Sequence, residues 1–381
     1  MPPISAKKLL GNKMNNPSLD YKLKEIPAIE FLRFFSALMI LVFHYVHFTY
    51  KGTSLPQNLS NLNLPFYNFL WIFYEFGKYA VQIFWSISGF IFFLKYKNLI
   101  ADKLISAKDF FILRLSRLYP LHFLTLLIVL FLQIIYLKQT GLYFINQHND
   151  LPHFLLQLFL ASDWEILRGT GFNAPIWSVS VEVITYVIFF VSLRFIGKSA
   201  YMKVMMIFVC LLLNAIGFKS SILGCIKYFY AGGLAAFAYE FRNKIKRMDS
   251  LMLLLLFMLL PLTIFMSYIL QIKIKSYVFF ILLCTPIIIY FLATKLKISP
   301  SIIKLSKELG NLTYASYLIH FPIQLSFMIY FNSKNEAAPY QNPYFLFVYI
   351  GVTLILAWFI FNFYEKPLQD YIRKIWQTKS Y

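Results

Sequence analysis

Acidic residues are scarce in this chain. It holds 16 Asp and Glu among 381 residues, against 36 Lys and Arg. Charged residues of both signs reach only 14%, where soluble domains run near about 25%. With 59% hydrophobic and 20% aromatic residues, that shortage excludes a soluble domain carrying a single anchor and implies a polytopic membrane protein. Cysteine is scarce too. Cys210, Cys225 and Cys284 lie in apolar runs without metal-ligand spacing and read as small buried hydrophobes. The first 25 residues are polar and basic, with no early apolar core before a cleavage site, so no cleavable signal peptide is expected and the first span serves as an uncleaved signal. The net charge of +20 does not indicate nucleic acid. The basic residues are scattered through short loops between apolar runs, where membrane topology places them and where anionic lipid attracts them.

The apolar runs predict an all-α bundle of ten transmembrane helices. They lie at about 27–48, 77–95, 119–137, 178–196, 201–218, 222–239, 251–270, 277–294, 312–331 and 345–364. Residues 49–75 read as a polar loop. Leu151–Ala161 is apolar but too short to cross, so it reads as interfacial or re-entrant. The expected organisation is a basic cytoplasmic tail (1–25), a membrane domain (26–367) and a second basic cytoplasmic tail (368–381). An even span number puts both termini on one side. That side collects roughly 26 Lys and Arg and the other roughly 8, so both termini are expected in the cytoplasm.

The first span carries Arg33 and His44. Eleven residues at about 100° each make three turns plus about 20°, so both share one helix face, roughly 16 Å apart. An intramembrane cation faces a bundle interior or a water-filled cavity, or else snorkels to the near interface. Arg114 and Arg117, three residues apart at the cytoplasmic mouth of the third span, present two guanidinium forks suited to phosphate, whether of a ligand or of lipid headgroups. Tyr119 and Pro120 open that span. Glu182 lies in the fourth span with Tyr186 one turn on, at a depth matched to His44, which makes that histidine a natural partner for the carboxylate. Ser88 and Gly89 are small mid-span residues. They read as helix packing or, more sharply, as a backbone approach to a ligand. Gly232 and Gly233 read as packing. His320, just before Pro322, reads as structural. His148, Asp150 and His153 form a loose cluster interrupted by Pro152, and no metal is assigned to it.

Taken together these motifs resemble the acyltransferase family 3 integral membrane proteins, which O-acylate glycans and related molecules. Glu30-Phe-Leu-Arg33 followed by His44 is similar to the family's opening arginine–ten residues–histidine signature. Ser88-Gly89-Phe90, Arg114-Leu-Ser-Arg117-Leu-Tyr119-Pro120, Trp177-Ser-Val-Ser-Val-Glu182, Tyr317-Leu-Ile-His320 and Glu365-Lys-Pro367 follow in the family's order. There are departures. Val183 and Ile184 stand where a second glutamate and a glutamine are common, Glu30 replaces a more usual aspartate, and His122 replaces an aromatic residue. The chain resembles the stand-alone form of the family, in which no further domain is expected after the last span.

The resemblance implies acyl transfer, commonly of acetyl, from cytoplasmic acetyl-CoA or another acyl-CoA. The acceptor would be a hydroxyl of an envelope or exported glycan such as lipopolysaccharide or exopolysaccharide, the location the inner (plasma) membrane. On this reading Arg114, Arg117 and Arg33 hold the donor. His44 acts as general base or transient acyl carrier. Glu182 orients it, and Tyr186 donates to the developing oxyanion. Glu30, Ser88, Tyr119, Trp177 and His320 support the site. Membrane lipids are the remaining partners; neither a metal nor a nucleic acid is expected. A transporter of a lipid-linked or small substrate is the rival, weakened by the lack of an internal repeat and of paired broken spans.

Overall fold

The computed structural model describes residues 26–50, 61–245, 247–255, 258, 276–296 and 299–379. Within them the chain is an all-α integral membrane protein. Helix α1 (Pro27–His44) starts with proline in its first turn, where the missing N–H costs nothing, and runs on into a 3₁₀ turn (Tyr45–Thr49). A ten-residue helix α2 (Tyr67–Phe76) and a 3₁₀ turn precede α3 (Ala80–Ala101). Then come α4 (Ala107–Thr140), the short α5 (Leu151–Leu158), α6 (Ile176–Phe195), α7 (Ala200–Ala215) and α8 (Ser221–Phe241). The last four are α9 (Ser276–Lys295), α10 (Pro300–Ser333), α11 (Pro343–Ile360) and, after a π turn (Phe361–Glu365), α12 (Lys366–Lys379). Six segments among the described residues are long and apolar enough to cross a bilayer. Every expected span but the seventh coincides with a helix, and that one, at about 251–270, falls mainly outside the described residues.

Several elements differ from expectation. Residues 67–76 are a helix rather than polar loop; too short to cross, the segment packs on α1 through Phe73 against Phe35. Helix α4 begins at Ala107, about twelve residues before the apolar run, because Ser106 caps it by accepting from the Asp109 N–H at 3.1 Å. Its 34 residues span about 51 Å, well beyond a hydrocarbon core of about 30 Å. Helix α10 is extended in the same way. The C-terminal stretch expected as a tail is mostly α12. It packs on the protruding part of α4, with Arg373 Nε donating to Ser116 Oγ at 3.2 Å and Trp376 Nε1 to Asp109 Oδ1 at 2.8 Å.

Side-chain pairs give the helix directions. Trp85–Trp177, Phe92–Tyr186 and Arg194 with the Ile100 carbonyl make α3 and α6 parallel. Trp85–Tyr228 and the Lys97–Glu240 ion pair make α3 and α8 parallel. Helices α1 and α10 are parallel as well, since Glu30 packs on Gly310 and His44 meets His320. The bundle thus has a basic end, with Arg33, Arg114 and Arg117, and a loop end, with His44 and residues 141–175. The loop end is tied down by buried polar groups: Gln133 exchanges hydrogen bonds with the Phe144 backbone, and Asn173 Nδ2 donates to Thr125 Oγ1 at 3.0 Å.

Gly89 and Gly232 carry the α3–α8 contact. A Cβ at Gly89 would run into the Phe229 carbonyl oxygen, and one at Gly232 into that of Ser86. Both obstacles are backbone, so neither can swing aside. Gly89→Ala is expected to destabilise the protein by about 1–3 kcal/mol through forced separation of the two helices, measurable as a fall in thermal midpoint in detergent.

Candidate active site

The side chains singled out in the sequence fall into two groups, joined through α10. The first surrounds a half-open cavity of about 150 Å³ between α1, α3, α4, α6 and α10. Arg33, Ser88, Arg114, Arg117, Glu182 and Tyr186 all line it. The arginines come from two helices that enter the membrane from the basic end, and Glu182 comes from α6, which runs the opposite way. Arg33 Nη1 donates to Glu30 Oε2 at 2.7 Å, and the close approach of Glu30 to α10 requires the missing side chain of Gly310. Arg114 Nη2 donates to the Tyr96 hydroxyl at 2.5 Å, and its guanidinium lies over the Phe92 and Tyr96 rings at 4.9 and 5.0 Å. That aromatic seat fixes a planar cation while leaving Nε without a partner in the protein.

Ser88 Oγ donates to Glu182 Oε1, and the Tyr186 hydroxyl lies against the same carboxylate. Depth-matching pairs Glu182 with His44, and the structure corrects this. No hydrogen bond joins them; the charges Glu182 feels are those of Arg117 and Arg33. Helix α6 packs on α3 and α8, whereas the loop end of α1 packs on α10, so equal depth does not bring the two side chains together. The sharper reading of Ser88 fits its contact, while its neighbour Gly89 serves packing. Trp177 stands behind the cavity, edge-on to Trp85 with ring centroids 5.8 Å apart. Tyr119 lies outside the lining and stacks on Phe123.

The second group is a histidine pair beyond Tyr317. Tyr317 lines the cavity, hydrogen-bonds Ser178 Oγ at 2.7 Å and has its ring 5.9 Å from that of His320. His320 Nδ1 faces the Tyr317 carbonyl oxygen at 2.6 Å, and its Nε2 meets His44 Nδ1 at 3.1 Å with ring planes within 10°. Because the carbonyl only accepts, Nδ1 of His320 must carry the proton. In a neutral ring Nε2 is then an acceptor, so His44 donates from Nδ1 and keeps a free lone pair on Nε2. That is the tautomer a base or nucleophile needs. Gln324 clamps the pair, donating to the His44 carbonyl at 2.7 Å and accepting from His47 Nδ1 at 3.2 Å. His320, which the sequence reads as structural, therefore sets the orientation of His44.

Glu365 is a site residue that residue-level reading missed. It ends the π turn, is 2% exposed, and its Oε2 has no partner in the protein. The charges it feels are again Arg117 and Arg33. A π turn inside a helix commonly marks a functional position. The signal available in the sequence was a lone carboxylate closing an apolar span.

Residues 26–362 match the family model of the acyltransferase domain. No curated protein and no solved structure matches the chain. With nearly its whole length covered by that model, the chain belongs to acyltransferase family 3.

Proposed function

We propose that the chain is a membrane-embedded O-acyltransferase, most simply an O-acetyltransferase. It moves an acyl group from cytoplasmic acyl-CoA to a hydroxyl of an envelope or exported glycan at the loop end. The observation that carries this reading is the convergence of Arg33, Arg114 and Arg117 on one cavity whose far wall, Tyr317, touches the His320–His44 pair. The excess of Lys and Arg in loops at the basic end supports a cytoplasmic donor side in an inner (plasma) membrane. The donor's phosphates pair with Arg114 and Arg117, its arm passes Arg33, and the thioester reaches the neighbourhood of His44. His44 Nε2 takes the proton of the acceptor hydroxyl as the new ester C–O bond forms. The thioester C–S bond breaks, and the proton leaves with the CoA thiolate. In the two-step form Nε2 carries the acyl group before passing it to the hydroxyl. Glu182, held by Ser88 beside Tyr186, balances the guanidinium charge and keeps the cavity polar where the thioester passes.

The test uses the purified protein in vesicles with labelled acetyl-CoA on the basic-end side and a glycan on the other. Label appearing on the glycan or on the protein supports the enzyme. Movement of an intact substrate across the vesicle without acyl chemistry would establish the rival transporter instead.

A further inference from the structure

The loop end holds a second cluster that the acyl-transfer reading does not use. His148, Asp150 and His153 each offer a ligand atom, and these atoms lie within 4.8 Å of one another. The sequence argued against a metal here because Pro152 interrupts the spacing. In the structure Pro152 falls in the first turn of α5, where proline is favoured, and so helps to form the cluster. Asp150 caps that helix, its Oδ1 accepting from the His153 N–H at 3.0 Å. The cap brings the His153 ring back over the same oxygen, with Nδ1 2.7 Å away. His148 arrives from the preceding turn and stacks on His153, with centroids 5.0 Å apart. Its seat is Gly169, at φ +91°, where any Cβ would collide with the imidazole. Two hydrogen bonds hold the strands of this loop together: Thr170 Oγ1 to Asn146 Oδ1 at 2.9 Å, and the Phe172 N–H to Asn149 Oδ1 at 2.7 Å.

Both ring nitrogens of His153 face acceptors. Nε2 faces the Arg168 carbonyl oxygen at 3.2 Å, which can only accept, so Nε2 carries the ring proton. Nδ1 pairs with Asp150 Oδ1 at 2.7 Å, an ion pair when that nitrogen also carries a proton. A metal ion bound at Nδ1 would take the place of that proton, with the N–H at Nε2 still donating to the Arg168 carbonyl. A histidine that ligates metal through one nitrogen and donates its other N–H to a backbone carbonyl is the usual arrangement around a bound metal.

We propose that His148, Asp150 and His153 form a binding site for a divalent transition-metal ion of the zinc type. Imidazole and carboxylate suit such ions. Ligand bonds of about 2.0–2.2 Å place ligand atoms roughly 3–4 Å apart, so a small inward movement of the exposed His148, with Asp150 Oδ1 backing slightly away from Nδ1, completes three ligands with water in the open position. Bound metal would staple the 146–150 turn to α5 and to the 168–172 segment. None of the three ligands is assigned a role in acyl transfer.

The experiment is a cobalt titration of the full chain in detergent, purified without a histidine tag. One equivalent of Co²⁺ is expected to produce visible d–d absorption that Zn²⁺ removes by displacement. His148→Ala and Asp150→Asn, both at exposed positions, are expected to weaken binding at least about tenfold with unchanged elution on size exclusion. Absence of the absorption in the wild-type protein would overturn the site. So would unchanged binding in both variants, which would place the metal on the His44–His47–His320 group instead.

Discussion

Replacing His44 by alanine is expected to lower acyl transfer by at least about 100-fold while the protein still inserts and elutes as the wild type does, because a positioned general base contributes roughly 10²–10⁴-fold. His320 separates a positioning role from a purely structural one. His320→Ala removes the acceptor that holds the His44 Nδ1 proton, so His44 loses both its tautomer and its orientation. The loss should approach that of His44→Ala. His320→Gln restores a carbonyl oxygen near the lost Nε2 and is expected to recover part of the rate. If the alanine and glutamine variants were equally impaired and equally destabilised, the pair would be packing only. Full activity in His44→Ala would remove the histidine from the chemistry altogether. Single-turnover rates with labelled acetyl-CoA, measured across a pH series, read both variants. The His320 variants should shift the profile as well as its height.

The sequence placed Arg33 and His44 on one face because that needs only a count along a helix. It found Glu182 within α6 because a carboxylate stands out in an apolar run, and the arginine pair by its three-residue spacing at the mouth of the third span. Contacts between helices were not legible in that way. His44 and His320 are 276 residues apart, and only the parallel packing of α1 on α10 brings them together. Glu182 was placed by depth, which is one coordinate of three. Its neighbour is set by which helix α6 packs against, and that is decided by Gly89, Gly232 and the stacked Phe92–Tyr186 rings at 4.5 Å. Helix α2 was missed because ten residues are too few to span a bilayer, and its flanks are polar. The protruding half of α4 was missed because charged residues hid a helix that Ser106 caps and α12 supports. The nearness of Asp150 and His153 was not legible because a helix cap, rather than regular spacing, folds them onto each other.

The cavity carries a balanced set of charges, and that balance yields the second large effect. Arg33, Arg114, Arg117 and Glu182 line it, Glu30 pairs with Arg33 behind the wall, and the buried Glu365 feels Arg117 and Arg33 from outside the lining. On the proposed reading a donor phosphate would compete with these carboxylates for the arginines. Arg117→Ala is expected to raise the KM for acyl-CoA roughly 10- to 100-fold, since a hydrogen bond to a charged group contributes about 1.5–3 kcal/mol and each 1.4 kcal/mol is tenfold. It also leaves Glu365 buried with less opposing charge, at a cost of roughly 1–3 kcal/mol in stability. Glu365→Gln removes one competing carboxylate and is expected to lower that KM. The double variant Arg117→Ala/Glu365→Gln distinguishes the two roles of the arginine. Its thermal midpoint should return toward the wild type, because the buried charge has gone. Its KM should stay high, because the guanidinium that meets the phosphate is still absent. Recovery of both in the double variant would mean that Arg117 serves only to balance Glu365, and donor binding would then rest on Arg33 and Arg114.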